Sequence, residues 1–364
     1  ATLRYARREE RWSLAQSGSM DLDFVINHEV VEQMHAALER PHSRYPINLT
    51  TGLNFVLPHL APLKKAAQYL ALEAVYAAGR QDSEQATQAV LATLSAAHTL
   101  AEEPLFVSYL SRIELSGLAI EAAEVVLSRT ELTADQLRRM QTAFVSAEDT
   151  NHLGRAIAGD RVAALESLHI PSRTLFKNVG AVPGYWQNLF QARVLDVYDL
   201  CGLRQRDAQF HLDRLDELAE IGGLSRTLAP GRQRQLAARL NAVAGPRDWL
   251  HPVARQESWL FQPILPTELR SVATLRCAQT AMAVQRWRLA HDGTLPASLE
   301  ALVPEYLATL PEDPLDGQSL KLRAQTPGYV IYSVGDDGAD GGGKKRAPKS
   351  NQQPGRDYTF TVTR

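Results

Sequence analysis

Apolar residues recur at helical spacing from His59 to Leu168, and this pattern constrains the fold more than any other feature of the sequence. The first run ends at the break Gly79–Asp82, and Ser83 is expected to cap the next helix. Glu103-Pro104 suits the first turn of a third helix, since acidic residues and proline are favoured there. Thr133-Ala-Asp-Gln136 has the capping-box pattern for a fourth.

Helices separated by short breaks predict antiparallel helical hairpins, as in helical-repeat scaffolds. The fifth helix of this series is expected at Asn151–Leu168, and frequent alanines in the first two allow close helix approach. No strict repeat signature is present, so the pattern is only repeat-like. We therefore expect a mainly α protein with a helical body over residues 1–265, repeat-like at 59–168.

Other segments of the body are also expected to be helical, although a Pro-, Asn- and Gly-containing loop at Pro41–Pro58 interrupts them. The expected helices are Asp21–Leu38, Tyr185–Cys201, Asp207–Ile221 and Arg232–Ala244. An aromatic cluster at Trp249, Trp259 and Phe261 indicates a seam between packed units more often than a ligand pocket.

The last hundred residues have a different pattern and are expected to form a separate α+β domain, residues 266–364. Thr267 is expected to cap a long helix that ends at Asp292-Gly293. A short helix between prolines and two strands in Pro311–Gly343 follow. In the final strand, Asp357–Arg364, apolar and threonine residues alternate, which suits an antiparallel sheet packed on the long helix.

The Gly/Asp-rich loop between the last two strands has the chemistry of a calcium site. Clustered carboxylates and carbonyls supply the oxygen ligands that a hard cation requires, and glycines allow the tight path. An EF-hand does not fit, because aligning Gly341 with the invariant glycine puts Gly338 at a ligand position and Ala347 at the bidentate carboxylate. The alternative is an ordinary polar loop with solvated aspartates.

The tail resembles the globular domain of type II secretion major pseudopilins over about a hundred residues. The resemblance is carried by the long helix, Gly293–Pro296, Leu310–Pro314, Asp316-Gly317 and Tyr329–Gly338 in that order. It implies an antiparallel sheet on a long helix and a calcium ion in the loop after the Tyr-Ser-x-Gly strand. Carried over by motif position, the ligands would be Asp337, Asp340, Asp357 and the carbonyl of Val334, with Asp336 as an alternate.

The chain departs from the pseudopilin pattern at its N-terminal side, where a large helical body replaces the assembly helix. That body, with Glu102–Leu105 and Gly159–Arg161, is similar to uncharacterised membrane-anchored bacterial proteins that end in a pseudopilin-like tail. The likeness assigns no function. Since the sequence begins at Ala1 rather than Met, we expect a leader or anchor before it.

Composition narrows the classes of partner. A net charge of −2 gives no reason to expect nucleic-acid binding, and no run is long and apolar enough to span a bilayer. The cysteines, Cys201 and Cys277, either form one disulfide or are two buried thiols, and they cannot make a CxxC-type zinc site. The sequence leaves the oligomeric state open.

No nucleophile-elbow, P-loop or dinucleotide-binding motif is present. His28-Glu29 and His35 do not have HExxH spacing, so they are expected to be surface or partly buried. Glu114, Glu121 and Glu124 lie on or near a buried-looking helix, where paired carboxylates could do acid–base chemistry, although the same spacing arises on any solvated helical face.

Three functions remain as hypotheses. The first is an extracytoplasmic structural or interaction protein, periplasmic or at the cell surface, with a calcium-stabilised tail and a protein partner. It would contact a membrane only through an anchor outside this chain. The second is an enzyme with its site between body and tail. The third is a component or cargo of a type II-like secretion system.

Overall fold

The structure is a computed structural model that describes residues 31–37, 43–54, 56–148, 152–170, 199–224, 264–344 and 357–364. These residues are mainly helical, with one small sheet. The helices are α1 (Leu60–Gly79), α2 (Ser83–His98), α3 (Phe106–Arg129), α4 (Ala134–Ala147), α5 (His152–Ser167), α6 (Leu203–Leu224) and α7 (Ile264–Ala290); the strands are β1 (Lys321–Ala324), β2 (Tyr329–Ser333) and β3 (Tyr358–Val362). Residues 31–37 are also helical, and Leu49–Asn54 and Leu299–Leu302 form 3₁₀ turns.

Several sequence predictions fall wholly or largely outside the described residues: the helix expected at Tyr185–Cys201, of which only 199–201 are described, the helix expected at Arg232–Ala244, the aromatic cluster at 249–261, His28-Glu29, and the first part of the helix expected from Asp21.

The helix ends test the capping predictions. The capping box at Thr133 is confirmed, because its side chain accepts from the Gln136 amide and the Gln136 side chain returns to the Thr133 amide. Ser83 as the cap of α2 is wrong: Asp82 is the cap, and its Oδ1 accepts from the Gln85 amide at 3.0 Å. The cap lies one residue earlier because the helix already includes Ser83.

Two further helix starts differ from prediction. Helix α3 begins at Phe106, after Glu103-Pro104 rather than with it. Helix α7 already includes Ile264, so Thr267 is not its cap, and Pro266 occupies its first turn, where the missing N–H costs nothing. The expected end of α7 is confirmed, since Asp292 and Gly293 both have positive φ (50° and 78°).

The sheet has the order β1-β2-β3, and both pairs are antiparallel. The alternation expected in the last strand is present, because Tyr358, Phe360 and Val362 are buried while the two threonines between them are only partly so. All five residues of the central strand β2 are buried, so both of its faces are covered.

Helix α3 protects the outer edge of β3. The Glu124 carboxylate accepts a hydrogen bond from the Thr361 amide at 2.9 Å, and Ser128 Oγ accepts one from the Thr363 amide at 3.2 Å. An edge strand otherwise presents unpaired backbone groups to other chains. Side chains of the body therefore satisfy the edge of the tail's sheet.

One hydrophobic cluster runs through both parts of the chain, from helices α1–α4 into α7 and the sheet. Alanines of α1 and α2 in this cluster, such as Ala74 and Ala86, are fully buried, as close helix approach requires. Met140 and Phe144 of α4 share it with Ala278 and Met282 of α7. The domain boundary at 265/266 stays a prediction, and the described residues on its two sides share this core.

Candidate functional site

The Gly/Asp loop folds over the outer face of β2. A Cβ placed on Gly343 would lie 2.9 Å from Val330 Cγ1 and 3.2 Å from the Tyr332 ring, and Gly343 has a φ of 74°. Only glycine permits both this approach and this backbone conformation. The opposite face of β2 packs toward α7, where the Tyr329 hydroxyl donates to the Ala281 carbonyl at 3.0 Å. The loop is thus the outer cover of the sheet.

Asp357 ties this cover to the start of β3. The residue is 1% exposed; its Oδ1 accepts from the Gly341 amide at 3.1 Å and its Oδ2 from the Gly343 amide at 2.6 Å. Burial raises the pKa of Asp357. The hydrogen bonds from the Gly341 and Gly343 amides oppose that rise, and the charge of Asp340 adds to it. Charge-assisted bonds of this kind are among the stronger hydrogen bonds in proteins.

Asp340 is the second carboxylate at this place. It is exposed, and its Oδ1 accepts from the Gly342 amide at 2.8 Å. The pKa of Tyr332 is raised to about 12, first by burial, then by the charge of Asp340 and a hydrogen bond to it, and then by the charge of Asp357. Asp340 and Asp357 therefore act on the same tyrosine and on each other, and like charges so placed repel.

The other residues predicted as ligands have separate partners. Asp336 accepts from the Tyr358 hydroxyl at 2.6 Å and faces Arg270 Nη2 at 3.5 Å. Asp337 Oδ1 accepts from the Ala339 amide at 3.1 Å. The Val334 carbonyl accepts a 3.1 Å hydrogen bond from Ser333 Oγ. The loop brings together Asp340 and Asp357, while Asp336 is turned to Arg270.

Asp313 organises the same end of the sheet and was missed as a key residue. It is 1% exposed; Oδ1 accepts from the Leu315 amide at 2.9 Å and from Ser333 Oγ at 2.8 Å, and Oδ2 from the Val334 amide at 2.8 Å. Burial raises its pKa. It joins the proline turn to the end of β2. The signal was available, because Asp313 lies in the Leu310–Pro314 turn that carries the resemblance.

Glu114 and Glu124 of α3 contact separate partners. Glu114 contacts Lys64, with Oε1 2.5 Å from Nζ, while Glu124 is buried and covers the edge of β3. For Glu124 the expectation of a solvated face is therefore wrong: its carboxylate serves the sheet. His35 is partly buried, as expected, and its Nε2 lies 2.8 Å from Glu73 Oε2.

The two body segments of the second resemblance lie against each other. A Cβ on Gly159 would lie 1.7 Å from the Pro104 carbonyl oxygen, so α5 passes the α2–α3 connection at backbone distance. Asp160, 3% exposed, accepts from the Phe106 amide at 2.7 Å and so caps α3 from a distant helix. The sequence around Glu103-Pro104 has no local pattern that predicts Asp160 as the cap of α3.

Glu103 lies in the same region, between Ser108 and His59. Ser108 Oγ donates to its Oε2, and His59 Nε2 lies 2.7 Å from its Oε1. A serine beside a carboxylate and an imidazole suggests nucleophilic catalysis, but Ser108 has no exposed surface and bonds the carboxylate rather than the imidazole. The cluster holds the start of α3 together.

Asp160 gives the first testable prediction. Burial raises its pKa to about 7, although the hydrogen bond from the Phe106 amide acts to lower it. The folded state therefore binds this proton more tightly than the unfolded state, and the free energy of unfolding falls as the pH rises from about 4 to about 7, by up to about 4 kcal/mol. Asp160→Asn removes this dependence. The stability of the variant minus that of the wild type, measured as the free energy of unfolding, is therefore expected to be about 2–4 kcal/mol higher at pH 8 than at pH 4.5.

Urea titrations of both proteins at the two pH values measure this difference. The comparison uses the variant-minus-wild-type difference because His211, whose pKa is lowered to about 4 by burial and then by Arg214, destabilises both proteins as the pH falls below about 6.5. Parallel stability curves for the two proteins would show that Asp160 is not the titrating group.

Ionisable groups at the junction of body and tail are paired rather than directed into a cleft. Arg276 of α7 donates through Nε to Glu148 Oε1 at 2.8 Å and through Nη1 to the Glu312 carbonyl at 2.6 Å. Gln279 donates to Glu148 Oε2 and to the Phe144 carbonyl, both at 3.1 Å. These bonds close the end of α4 against α7.

Within the residues described, no group of three or more His, Cys, Asp or Glu side chains is placed to hold a metal ion. The helices described include none long and apolar enough to cross a membrane. Cys201 is exposed and Cys277 is buried, and both are free thiols. No family model, curated protein or solved structure matches this chain.

Proposed function

We propose that the chain is an extracytoplasmic bacterial protein with a structural or interaction role, whose pseudopilin-like tail is stabilised by one calcium ion. The observation that carries the proposal is that the carboxylates of Asp340 and Asp357 lie near each other and bind amides of the same glycine loop, which covers the sheet. Two repelling carboxylates at the closure point of a loop become favourable when a divalent cation lies between them. The closed junction between body and tail supports a role without catalysis.

The residues present fit such an ion. Asp340 and Asp357 would supply carboxylate oxygens, Asp337 and the Val334 carbonyl are the further donors that the resemblance implies, and water would complete the six to eight oxygens of calcium. Each Asp357 carboxylate oxygen accepts one hydrogen bond from a backbone amide and retains a second lone pair that could bind a cation. Asp336 is the weakest candidate, since Arg270 and Tyr358 hold it. Calcium would supply positive charge and fix the loop.

In this proposal the helical body is the interaction surface and the tail is its rigid end. An anchor preceding the chain would hold the protein at the membrane, and the partner would be another protein. The edge contact from Glu124 to β3 supports a body and tail that unfold together, because loss of either part exposes the other's core.

Calcium is therefore expected to raise the thermal stability of the full chain. With a dissociation constant of about 10⁻⁴ M, in the range of extracellular calcium modules, 10 mM calcium adds about 2.7 kcal/mol. Calorimetric melting in 10 mM calcium and in excess chelator measures this, with limited proteolysis of the Gly341–Lys344 segment as a local probe. Identical melting and identical cleavage in the two conditions would contradict the calcium proposal and leave the structural role without its stabilising ion.

Asp340→Asn is expected to abolish the calcium effect while leaving the melting temperature in chelator nearly unchanged, because an exposed asparagine still accepts from the Gly342 amide. The matched control is Asp316→Asn, in a neighbouring turn of the tail, whose side chain makes the same kind of bond to the Gln318 amide at 2.8 Å. An equal calcium response in both variants would place the ion elsewhere.

A further inference from the structure

The tail contains all of the chain's Asp-Gly pairs, and all of them lie in the described residues: Asp292-Gly293, Asp316-Gly317, Asp337-Gly338 and Asp340-Gly341. An Asp-Gly pair can isomerise without an enzyme. The glycine nitrogen bonds to the aspartate Cγ, water leaves, and a five-membered succinimide forms. Water then opens either carbonyl of the ring, so the main chain continues through the α- or the β-carboxyl and no atom is gained or lost. Glycine permits the attack best because it has no Cβ.

The hydrogen bond of each glycine amide controls this reaction, because the attacking nitrogen must first lose its proton. In three pairs the acceptor is a nearby backbone carbonyl: Gly293 donates to Arg288, Gly317 to Asp313 and Gly338 to Gly335, each at 2.8 Å. These bonds belong to the turns that contain the pairs. They protect the three amides for as long as each turn is formed.

Gly341 has a different kind of acceptor. Its amide donates to a side chain, Oδ1 of Asp357, which lies 16 positions away at the start of β3, at 3.1 Å. This bond is lost whenever the loop lifts from the sheet, even if the local turn stays formed. Opening a surface loop costs far less free energy than unfolding the whole protein. Gly341 is therefore the amide that is most readily released.

The Asp340 side chain is already placed for the reaction. Its Oδ1 accepts from the Gly342 amide at 2.8 Å, a turn that holds the carboxyl over the peptide bond to Gly341. Asp340 is also exposed, so water can reach the ring that would form. Asp316 and Asp337 make the same kind of bond, to the amides two positions on, so the acceptor of the glycine amide is what distinguishes Asp340.

We propose that Asp340-Gly341 is the site at which the native chain isomerises, and that the Asp357 carboxylate limits the rate by holding the Gly341 proton. The carboxylate accepts the hydrogen bond, and its charge opposes a negative nitrogen, so both effects favour the unreactive amide. Isomerisation would insert one methylene into the main chain of the cover and displace the carboxyl that bonds Gly342. The inference does not depend on calcium, because it rests on the bond between Gly341 and Asp357.

Prolonged incubation of the full chain at neutral pH in excess chelator tests the proposal. Isoaspartate is counted with protein isoaspartate methyltransferase and located by fragmentation of the tryptic peptides. In the wild type, position 340 is expected to accumulate isoaspartate faster than positions 292, 316 and 337. Asp357→Ala is expected to raise the rate at position 340 about tenfold or more, because it removes a charge-assisted acceptor, while the rate at position 337 stays within about twofold.

Position 337 is the internal control, because Asp337-Gly338 lies in the same loop and the Gly338 amide bonds Gly335 rather than Asp357. Gly341→Ala, added to Asp357→Ala, is expected to slow isomerisation at position 340 several-fold, since a methyl group hinders the attack. Gly341 is not among the glycines with positive φ, so its backbone accepts alanine. If Asp357→Ala does not fold, the ranking of the four sites in the wild type decides the question.

Equal rises at positions 337 and 340 in Asp357→Ala would show general opening of the loop and would overturn the proposal. A wild type without isoaspartate at position 340, or with a faster rate at another pair, would overturn it as well. Slower isomerisation in Asp357→Ala would also do so, because the carboxylate would then be a base that promotes the attack.

Discussion

Replacing Gly159 by valine is expected to lower the free energy of unfolding by about 3 kcal/mol or more. A Cβ at this position would lie 1.7 Å from the Pro104 carbonyl oxygen and 2.6 Å from Pro104 Cβ. Both atoms belong to the rigid proline that precedes helix α3, so neither can move aside like the end of a flexible side chain. Helix α5 would have to shift, and with it the Asp160 cap of α3. Urea unfolding followed by circular dichroism measures the loss.

Gly117→Ala is the matched control for this experiment. It also lies within a helix, α3, and a Cβ there meets no atom within 4 Å. Alanine is the better helix former, so this variant is expected to be about 0.5–1 kcal/mol more stable than wild type. If Gly159→Val were as stable as wild type while Gly117→Ala behaved as expected, the close approach of α5 to Pro104 would be wrong.

Asp313→Ala is the second large effect, with an expected loss of about 3–5 kcal/mol. The substitution leaves the Leu315 and Val334 amides without their acceptor, and it removes one of the two acceptors near the Ser333 hydroxyl, which keeps the Val334 carbonyl. Each buried donor left unsatisfied costs about 1–3 kcal/mol, and part of the sum is recovered when water enters. The loss should appear both in the unfolding free energy and as faster proteolysis of the tail.

Two variants frame this prediction. Asp313→Asn retains an acceptor oxygen and is expected to lose clearly less than Asp313→Ala. Asp316→Ala removes one hydrogen bond, to the Gln318 amide, and a 3.6 Å ion pair with Lys321, and it is expected to cost about 1 kcal/mol. Equal losses at positions 313 and 316 would show that Asp313 does not hold the turn to β2.

The helices and strands of the described residues were largely predictable from local patterns. The apolar period located α1 to α5, the break at Gly79–Asp82 is present, and the alternation in Tyr358–Val362 identified both the strand and its buried face. These features depend on residues close together in sequence. The capping box at Thr133 was predictable for the same reason, since all its bonds lie within four residues.

The errors concern contacts between distant residues. Asp160 caps α3 from 54 positions away, and Glu124 covers an amide of β3 that is 237 positions away. Neither partner has a pattern of its own, so the sequence predicted Glu103-Pro104 in the first turn of α3 and offered a solvated face as one interpretation of Glu124. By contrast, the early start of α7 is a local error, because Thr267 was predicted as the cap although the first turn of a helix accepts a proline such as Pro266.

The candidate calcium site was predictable as a loop but not as a set of side-chain directions. Glycine and aspartate content indicated where a cation could lie, and the motif order indicated which residues to consider. The sequence could not distinguish Asp340, whose charge raises the pKa of Asp357, from Asp336, which forms an ion pair with Arg270. That choice depends on where α7 places its arginine, which is a property of packing.

Calorimetric titration of calcium into the full chain, with Asp340→Asn and Asp316→Asn alongside, tests the central claim most directly. The wild type and Asp316→Asn are expected to bind one ion per chain with equal affinity, and Asp340→Asn to bind it at least tenfold more weakly. A wild type that takes up no calcium, or three proteins that bind it equally well, would contradict the claim that this ion stabilises the cover of the sheet.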